Sequence, residues 1–279
     1  MTGRPKRRSV VGRAALTVIT FGIIAVVIFP VYWMVISSLQ SGGRFSAPSL
    51  IPRSLTVDPI VTVMRTKPVL QWFGNSSIVA VSTAVICSVI SLNAGYALAR
   101  FRSRVSTLYG IAILFTQMLP ATLLVVPLFI VMKNLAMLNS LTSLVVANTA
   151  FALPLSIWLM KGFVESLPPD LEQQAMVDGC SRLGAYVRIA LPLLRPGVMV
   201  VVVFSFLLAW NDFFFARSLI VSQDRWVLSV GLTSFTTEYT VKWPELMSAA
   251  TLFAVPAVLF FALMQRNLVG GLTAGSVKG

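Results

Sequence analysis

Six long stretches with almost no charged residues limit what this chain can fold into more than any other feature. They cover residues 14–39, 75–99, 108–132, 141–159, 197–219 and 246–264. Each stretch is close to the roughly 20 residues that a helix needs to cross a bilayer. Only 11% of the 279 residues are charged, whereas about a quarter are charged in a soluble domain. The sequence therefore predicts an all-α, polytopic membrane protein of about six transmembrane helices. We expect residues 1–279 to form a single transmembrane domain with no soluble domain beside it.

The first apolar stretch has two interpretations, because the basic segment 1–13 precedes it. A cleaved signal peptide would have a shorter apolar core that ends in a small-residue cleavage site. This stretch is long enough to span, and Tyr32 and Trp33 near its far end resemble an interfacial aromatic belt. We interpret it as an uncleaved first span.

The Lys and Arg residues predict the orientation of the spans. Most of the 22 basic residues fall in segments 1–13, 100–104, 161–195 and 265–279, which six spans place on one side of the membrane. Loops rich in Lys and Arg stay in the cytoplasm. We therefore expect a multi-pass protein of the plasma membrane with both termini in the cytoplasm. The net charge of +13 does not indicate nucleic acid, because no basic run is interleaved with aromatic residues.

Residues suited to catalysis or metal binding are scarce. The chain contains no His, and its two cysteines, Cys87 and Cys180, lack metal-ligand spacing. We expect no catalytic residue, no metal and no cofactor. The chain also lacks the G-x-x-x-x-G-K-[S/T] loop that cradles phosphates, so ATP binding by that route is excluded.

The polar segment 161–195 predicts two short helices around a bend, and we interpret it as a cytoplasmic loop. Pro169 suits a helix start, Gly179 can adopt positive φ and end that helix, and Ser181 can cap the next one. Leu171, Ala175 and Met176 give the first helix a small apolar stripe. Such a helix must dock either on a partner protein or in the lipid headgroups.

The loop resembles the signature loop of binding-protein-dependent ABC importer permeases. That signature reads E-A-A, three residues, G, nine residues, I, one residue and L-P, and the matching positions here are Gln173-Gln174-Ala175, Gly179, Ile189 and Leu191-Pro192. The triplet departs from the family, because Gln173 replaces Glu and Gln174 replaces Ala. The nearest carboxylate is Glu172.

Two further segments carry the resemblance along the chain. Phe206 to Ala216, centred on Trp210-Asn211-Asp212, is similar to the fifth span of sugar permeases of this family. The tail 268–279 is similar to the end of the smaller, six-span permease of maltose-transporter type.

The resemblance implies a type I ABC importer permease fold and half of an ATP-driven translocation pathway for sugars or related carbohydrates. The implied partners are a second, different permease, a dimer of ATPase subunits and an extracytoplasmic sugar-binding protein, with membrane lipid around the spans. ATP would be hydrolysed by the ATPase, so this chain would not be an enzyme. The coupling residues would be Glu172, Gln173, Gln174, Ala175, Asp178, Gly179, Ile189, Leu191 and Pro192, and the cytoplasmic tail 265–279 would reach the ATPase with Gly275, Ser276 and Lys278.

Polar residues inside the predicted spans have two interpretations. Such residues are costly in lipid, so they should face protein or water. They could line the pathway, but hydrogen bonding between helices is the interpretation we favour. The residues are Gln117, Asn148, Asn211 and Asp212.

Two other function classes remain alternatives. A secondary transporter would need an internal repeat and mid-membrane carboxylates, and Asp212 is the one candidate acid inside a predicted span. A membrane enzyme would need convergent catalytic groups, which the absence of His disfavours.

Overall fold

The computed structural model describes residues 10–40, 50–51, 54–101, 104–236 and 241–274, and helices dominate this part of the chain. The helices are α1 (Val10–Ser38), α2 (Asp58–Thr66), α3 (Val69–Arg100), α4 (Arg104–Thr116), α5 (Ala121–Asn134), α6 (Leu141–Ser166), α7 (Asp170–Val177), α8 (Arg182–Ala185), α9 (Leu191–Leu193), α10 (Arg195–Trp210), α11 (Phe214–Leu219), α12 (Leu228–Gly231) and α13 (Trp243–Ala274). A π-helical turn, Tyr186–Ala190, joins α8 to α9, and 3-10 turns lie at Gln223–Arg225 and Leu232–Phe235.

The described residues form two compact units. The first contains α1, α2 and the beginning of α13, up to residue 252. In this unit the Ser248 hydroxyl donates a hydrogen bond to the carbonyl of Ser38, with an O–O distance of 3.1 Å. Helix α2 lies between the first two apolar stretches, outside the predicted spans. Asp58 in its first turn and the proline after it favour a helix start there.

The second unit contains α3 to α12 and the remainder of α13. Its core is the packing of α3 against α6 and α10. The buried face of α3 consists largely of small residues, which let helix backbones approach closely where lipid supplies no hydrophobic drive. These residues are Ser76, Ala80, Thr83, Ala84, Cys87, Ser88, Ser91, Gly95 and Ala99.

Gly95 lies where the backbones of α3 and α6 approach closely. A Cβ atom at this position would lie 2.8 Å from Cβ of Met160 and 2.9 Å from the backbone nitrogen of Lys161. A backbone nitrogen cannot rotate away as a side chain can, so no larger residue fits without moving one helix.

The predicted third span, 108–132, is not one helix. It divides into α4 and α5, and Pro120 between them is extended, with φ −61° and ψ 136°. Proline has no N–H and disfavours helical geometry in the preceding residue, which explains the break. Pro127, also in this stretch, lies inside α5 without ending it.

The predicted fifth span, 197–219, is also interrupted. Helix α10 ends at Trp210, and α11 begins at Phe214. Among the described residues, four helices are long and apolar enough to cross a membrane: Leu16–Ser38, Val69–Arg100, Leu141–Ser166 and Trp243–Gln265. A fifth span arises if Arg182–Leu193 and Arg195–Trp210, bent by 66°, count as one. The all-α, multi-span prediction is confirmed, whereas the count of six stays a prediction.

Candidate functional site

The loop after α6 is shaped by two consecutive prolines. Helix α6 ends at Ser166, and Leu167 is extended, with φ −84° and ψ 126°. A residue before proline avoids the helical region, so Pro168 explains this end. Pro169 directly precedes α7, and the acids Asp170 and Glu172 lie in its first turn, where the positive end of the helix dipole favours them. The predicted helix start at Pro169 is confirmed.

The bend after α7 is a Schellman motif. Gly179 has φ +92°, as the sequence predicts. Its N–H donates to the carbonyl of Met176 at 3.1 Å, and the N–H of Cys180 donates to the carbonyl of Ala175 at 3.0 Å. These bonds satisfy carbonyls at the end of α7 that would otherwise lack partners.

The second loop helix begins at the predicted cap. The Ser181 hydroxyl accepts a hydrogen bond from the N–H of Gly184 at 3.1 Å and so caps α8. The chain then continues through the π-helical turn and α9 before it bends into α10. Ile189 is half-buried in the π-helical turn, and Leu191 and Pro192 lie in α9. These three residues therefore belong to the return towards the membrane rather than to α7.

Glu172 ties α7 to the end of α3. Its Oε1 accepts a hydrogen bond from Nε of Arg100 at 2.9 Å and lies 2.7 Å from the terminal Nη2 of the same guanidinium. Its Oε2 accepts a hydrogen bond from the hydroxyl of Tyr96. Arg100 also donates to the carbonyl of Leu167 at 3.2 Å. We call Tyr96, Arg100 and Glu172 the coupling bracket.

The coupling bracket is partly shielded from solvent. The Arg100 and Glu172 side chains are 16% and 12% exposed. The ring of Tyr96 packs against Tyr186 with a centroid distance of 4.5 Å, and burial raises the pKa of Tyr186. A charge-assisted, two-point contact in such a setting is stronger than a surface ion pair, so it fixes the start of α7.

A cavity of about 590 Å³ lies beside the coupling bracket. Met176 and Leu183 line it together with the bracket residues and Arg182. It lies between the end of α3 and the two loop helices.

The remaining predicted coupling residues are distributed along α7. Gln173, Gln174 and Asp178 are exposed, and Ala175 is half-buried. Val177 is 87% exposed, and Leu183 just beyond the bend is 70% exposed. The exposed surface of α7 and its cap therefore carries amide, apolar and carboxylate groups, while the Glu172 carboxylate is turned to α3.

Sequence reasoning missed Arg100 and Tyr96 as site residues. Arg100 entered only the count of basic residues, and Tyr96 was not singled out. A usable signal existed, since an aromatic residue four positions before an arginine lies on the same helix face. Their carboxylate partner is 76 positions from Tyr96 in sequence, which no local pattern reveals.

Three of the four polar residues in the predicted spans bond to neighbouring segments. Gln117 donates to the carbonyl of Phe151 on α6 at 2.9 Å. Asn148 donates to Oδ2 of Asp212 at 3.1 Å. Asn211 instead donates to the carbonyl of Leu207 in its own helix, and its side chain is exposed.

Asp212 holds the break between α10 and α11. Besides Asn148, its carboxylate accepts hydrogen bonds from the N–H groups of Phe215 and Ala216 at 3.1 and 3.2 Å. A carboxylate that accepts three hydrogen bonds from the protein has a structural role. This role weighs against binding of a coupling ion and therefore against the secondary-transporter alternative.

The predicted tail residues Gly275, Ser276 and Lys278 lie outside the described residues. Within the described part of the chain, no group of three or more His, Cys, Asp or Glu residues could hold a metal ion.

Comparison with known proteins decides the family. Residues 88–273, more than half of the chain, match the family described as binding-protein-dependent transport system inner membrane component. The chain belongs to this family. It is therefore a permease subunit of an ABC importer, a system that in general also contains a partner permease, a substrate-binding protein and a separate ATPase.

Individual relatives extend over nearly the whole permease. The diacetylchitobiose uptake system permease protein DasC of Streptomyces coelicolor is 34% identical over 98% of this chain and 100% of its own length. The sulfoquinovosyl glycerol transport system permease protein SmoH of Agrobacterium fabrum is 32% identical over 90% of this chain and 89% of its own.

A solved structure shows the same fold. It is a chain of a bacterial ABC transporter involved in the import of the acidic polysaccharide alginate, and it matches with a TM-score of 0.79. The match covers 95% of this chain and 99% of the other at 18% identity. The predicted permease fold is confirmed.

Proposed function

We propose that this permease forms one half of the pathway of an importer for sugars or related carbohydrates, and that α7 is the helix through which it couples to the ATPase. The observation that carries the coupling role is the contrast within α7. Its start is fixed to α3 by the coupling bracket, while Val177 at its end is 87% exposed. A short helix that is anchored and yet exposes apolar side chains indicates a protein partner.

Charge favours an ATPase over a lipid surface as this partner. Asp170 at the first position of α7 and Asp178 directly after its last residue are exposed, as are Gln173 and Gln174 within it. Anionic lipids of the cytoplasmic leaflet attract basic segments and repel carboxylates. An interfacial helix would carry Lys and Arg on its polar face, and α7 contains neither.

The orientation that follows places both termini in the cytoplasm. The distribution of Lys and Arg supports it, and it puts α7 and the 1–13 segment on the same side as the ATPase. We propose that the tail contacts the ATPase through Gly275, Ser276 and Lys278.

The substrate class is proposed from the relatives. Their names refer to diacetylchitobiose, sulfoquinovosyl glycerol and, for a 28% identical protein of Halalkalibacterium halodurans, arabinooligosaccharides. All three carry sugar units, so we propose a sugar or sugar derivative for this permease and a second, different permease as its partner. Asn211 is the candidate pathway residue, because its side chain is exposed at the break after α10.

Purification of the complex tests this function. The permease should co-purify with an ATPase and a second permease, and the complex should hydrolyse ATP faster when its binding protein carries an oligosaccharide. The permease alone should show no ATPase activity. Solute uptake that continues without any ATPase, driven by an ion gradient, would contradict the proposal.

A further inference from the structure

Helix α3 is fixed by side chains at both ends. One end carries Tyr96 and Arg100 of the coupling bracket, which hold α7. The other end carries Trp72, Asn75 and Ser76, which we call the far bracket. Asn75 and Arg100 are separated by about 38 Å, because each helical residue contributes about 1.5 Å.

The far bracket holds the backbone of a segment that follows α11. Nε1 of Trp72 donates to the carbonyl of Gln223 at 3.0 Å. Nδ2 of Asn75 donates to the carbonyls of Asp224 and Trp226 at 2.9 and 2.8 Å.

Ser76, the third residue of the far bracket, makes a buried contact. The Ser76 hydroxyl accepts a hydrogen bond from the N–H of Leu228 at 2.8 Å. Trp72 and Ser76 are 1% and 2% exposed. Buried backbone groups that lose such partners incur a desolvation penalty. Segment 223–228 should therefore move together with this end of α3.

Helix α3 also differs from the other long helices among the described residues, because it has no proline inside it. Pro30 lies inside α1, Pro154 inside α6 and Pro256 inside α13. Helix α3 contains no proline over its 32 residues. Proline is a common cause of sharp kinks, and α3 forms one continuous α-helix.

We propose that α3 is a two-ended transmission helix, which carries movement of α7 to segment 223–228 at the opposite end. The inference rests on the proposed function, since it takes α7 as the ATPase contact. It assigns Glu172, Arg100 and Asn75 as positioning residues, each acting through α3. A binding protein that moves segment 223–228 would act on the ATPase through the same helix.

Two single variants, one at each end, test the inference in the reconstituted complex. Glu172→Gln removes the charge from the coupling bracket, and Glu165→Gln is its control, because Glu165 pairs only with Lys161 of the same helix at 3.2 Å in the described contacts. Asn75→Ala removes two bonds of the far bracket. Its control is Ser88→Ala, whose hydroxyl donates to Ala84 within α3.

The measured quantity is the stimulation of ATP hydrolysis by loaded binding protein, relative to the basal rate of the same complex. Each bracket variant should lower the stimulation about fivefold or more, the lower bound of typical coupling between sites. The controls should match the wild type. The double variant should be no worse than the poorer single variant, because either change disconnects the same helix.

Arg100→Gln separates pairing with α3 from direct contact with the ATPase, because it removes the same ion pair from the α3 side. It should lower the stimulation about as much as Glu172→Gln does, and it carries the test if Glu172→Gln fails to assemble. Wild-type stimulation in any of these single variants, or losses that multiply when Glu172→Gln and Asn75→Ala are combined, would overturn the inference. Failure of the proposed function has a different signature, because the wild-type complex would then show no stimulation at all.

Discussion

Gly179 gives the sharpest single-residue prediction for the coupling role. Its φ is +92°, and a Cβ atom there would meet no atom within 4 Å. The effect of a substitution is therefore backbone strain and not a clash. An L-residue in the left-handed region costs about 1–2 kcal/mol, and a β-branched residue lies at the upper end because that conformation is a genuine outlier for it. About 2 kcal/mol against the docked shape would lower the ratio of docked to undocked loop about 30-fold.

The assay is transport together with binding-protein-stimulated ATP hydrolysis, normalised to the amount of assembled complex. Gly179→Val should lose most of both activities, Gly179→Ala less, and Gly179→Asn least, because Asn tolerates positive φ. Gly162→Val is the matched control, since Gly162 lies in α6 and a Cβ there also meets nothing within 4 Å. Normal insertion and wild-type transport by Gly179→Val would refute the coupling role of this loop.

The remaining predictions concern packing, the break after α10 and topology. Gly95→Leu should prevent α3 from packing on α6 and lower the yield of folded permease, measured by fluorescence-detected size-exclusion chromatography. An unchanged yield would contradict the close approach of the two helices. Asp212→Ala should leave buried N–H groups unpaired at about 1–3 kcal/mol each and lower the melting temperature, and an unchanged melting temperature would show that the carboxylate is not structural. In a background without native cysteines, a cysteine that replaces Ser9 or Ser276 should resist an impermeant thiol reagent on intact cells, whereas one that replaces Ser54 should react. Labelling of the cysteine at position 9 would contradict the predicted orientation.

Local chemistry allowed the loop to be predicted in detail. Pro169, Gly179 and Ser181 each act on the backbone within a few residues, so a helix start, a positive φ and a cap follow from residue type alone. The contact between Glu172 and Arg100 could not be predicted in this way. It joins residues 72 positions apart, and the packing of α3 against α6 brings them together.

Proline shows where span prediction fails. Pro120 separates two helices, whereas Pro127 and Pro154 lie inside helices. All three lie in apolar sequence, so local composition does not distinguish the proline that separates helices from those inside a helix. The difference is tertiary, because neighbouring groups must satisfy the carbonyls that a proline frees. Beside Pro120, Gln117 uses its side chain to bond α6, an arrangement that depends on where α6 lies.

Site-specific photo-crosslinking tests the central claim, which is that α7 docks on the ATPase. A photoreactive residue would replace Val177, which is 87% exposed at the end of α7, or Val221, which is 77% exposed beyond α11, as the control. In the assembled complex, position 177 should crosslink to the ATPase subunit, and position 221 should not. Crosslinking of position 177 to lipid alone, or of position 221 to the ATPase, would contradict the proposed coupling.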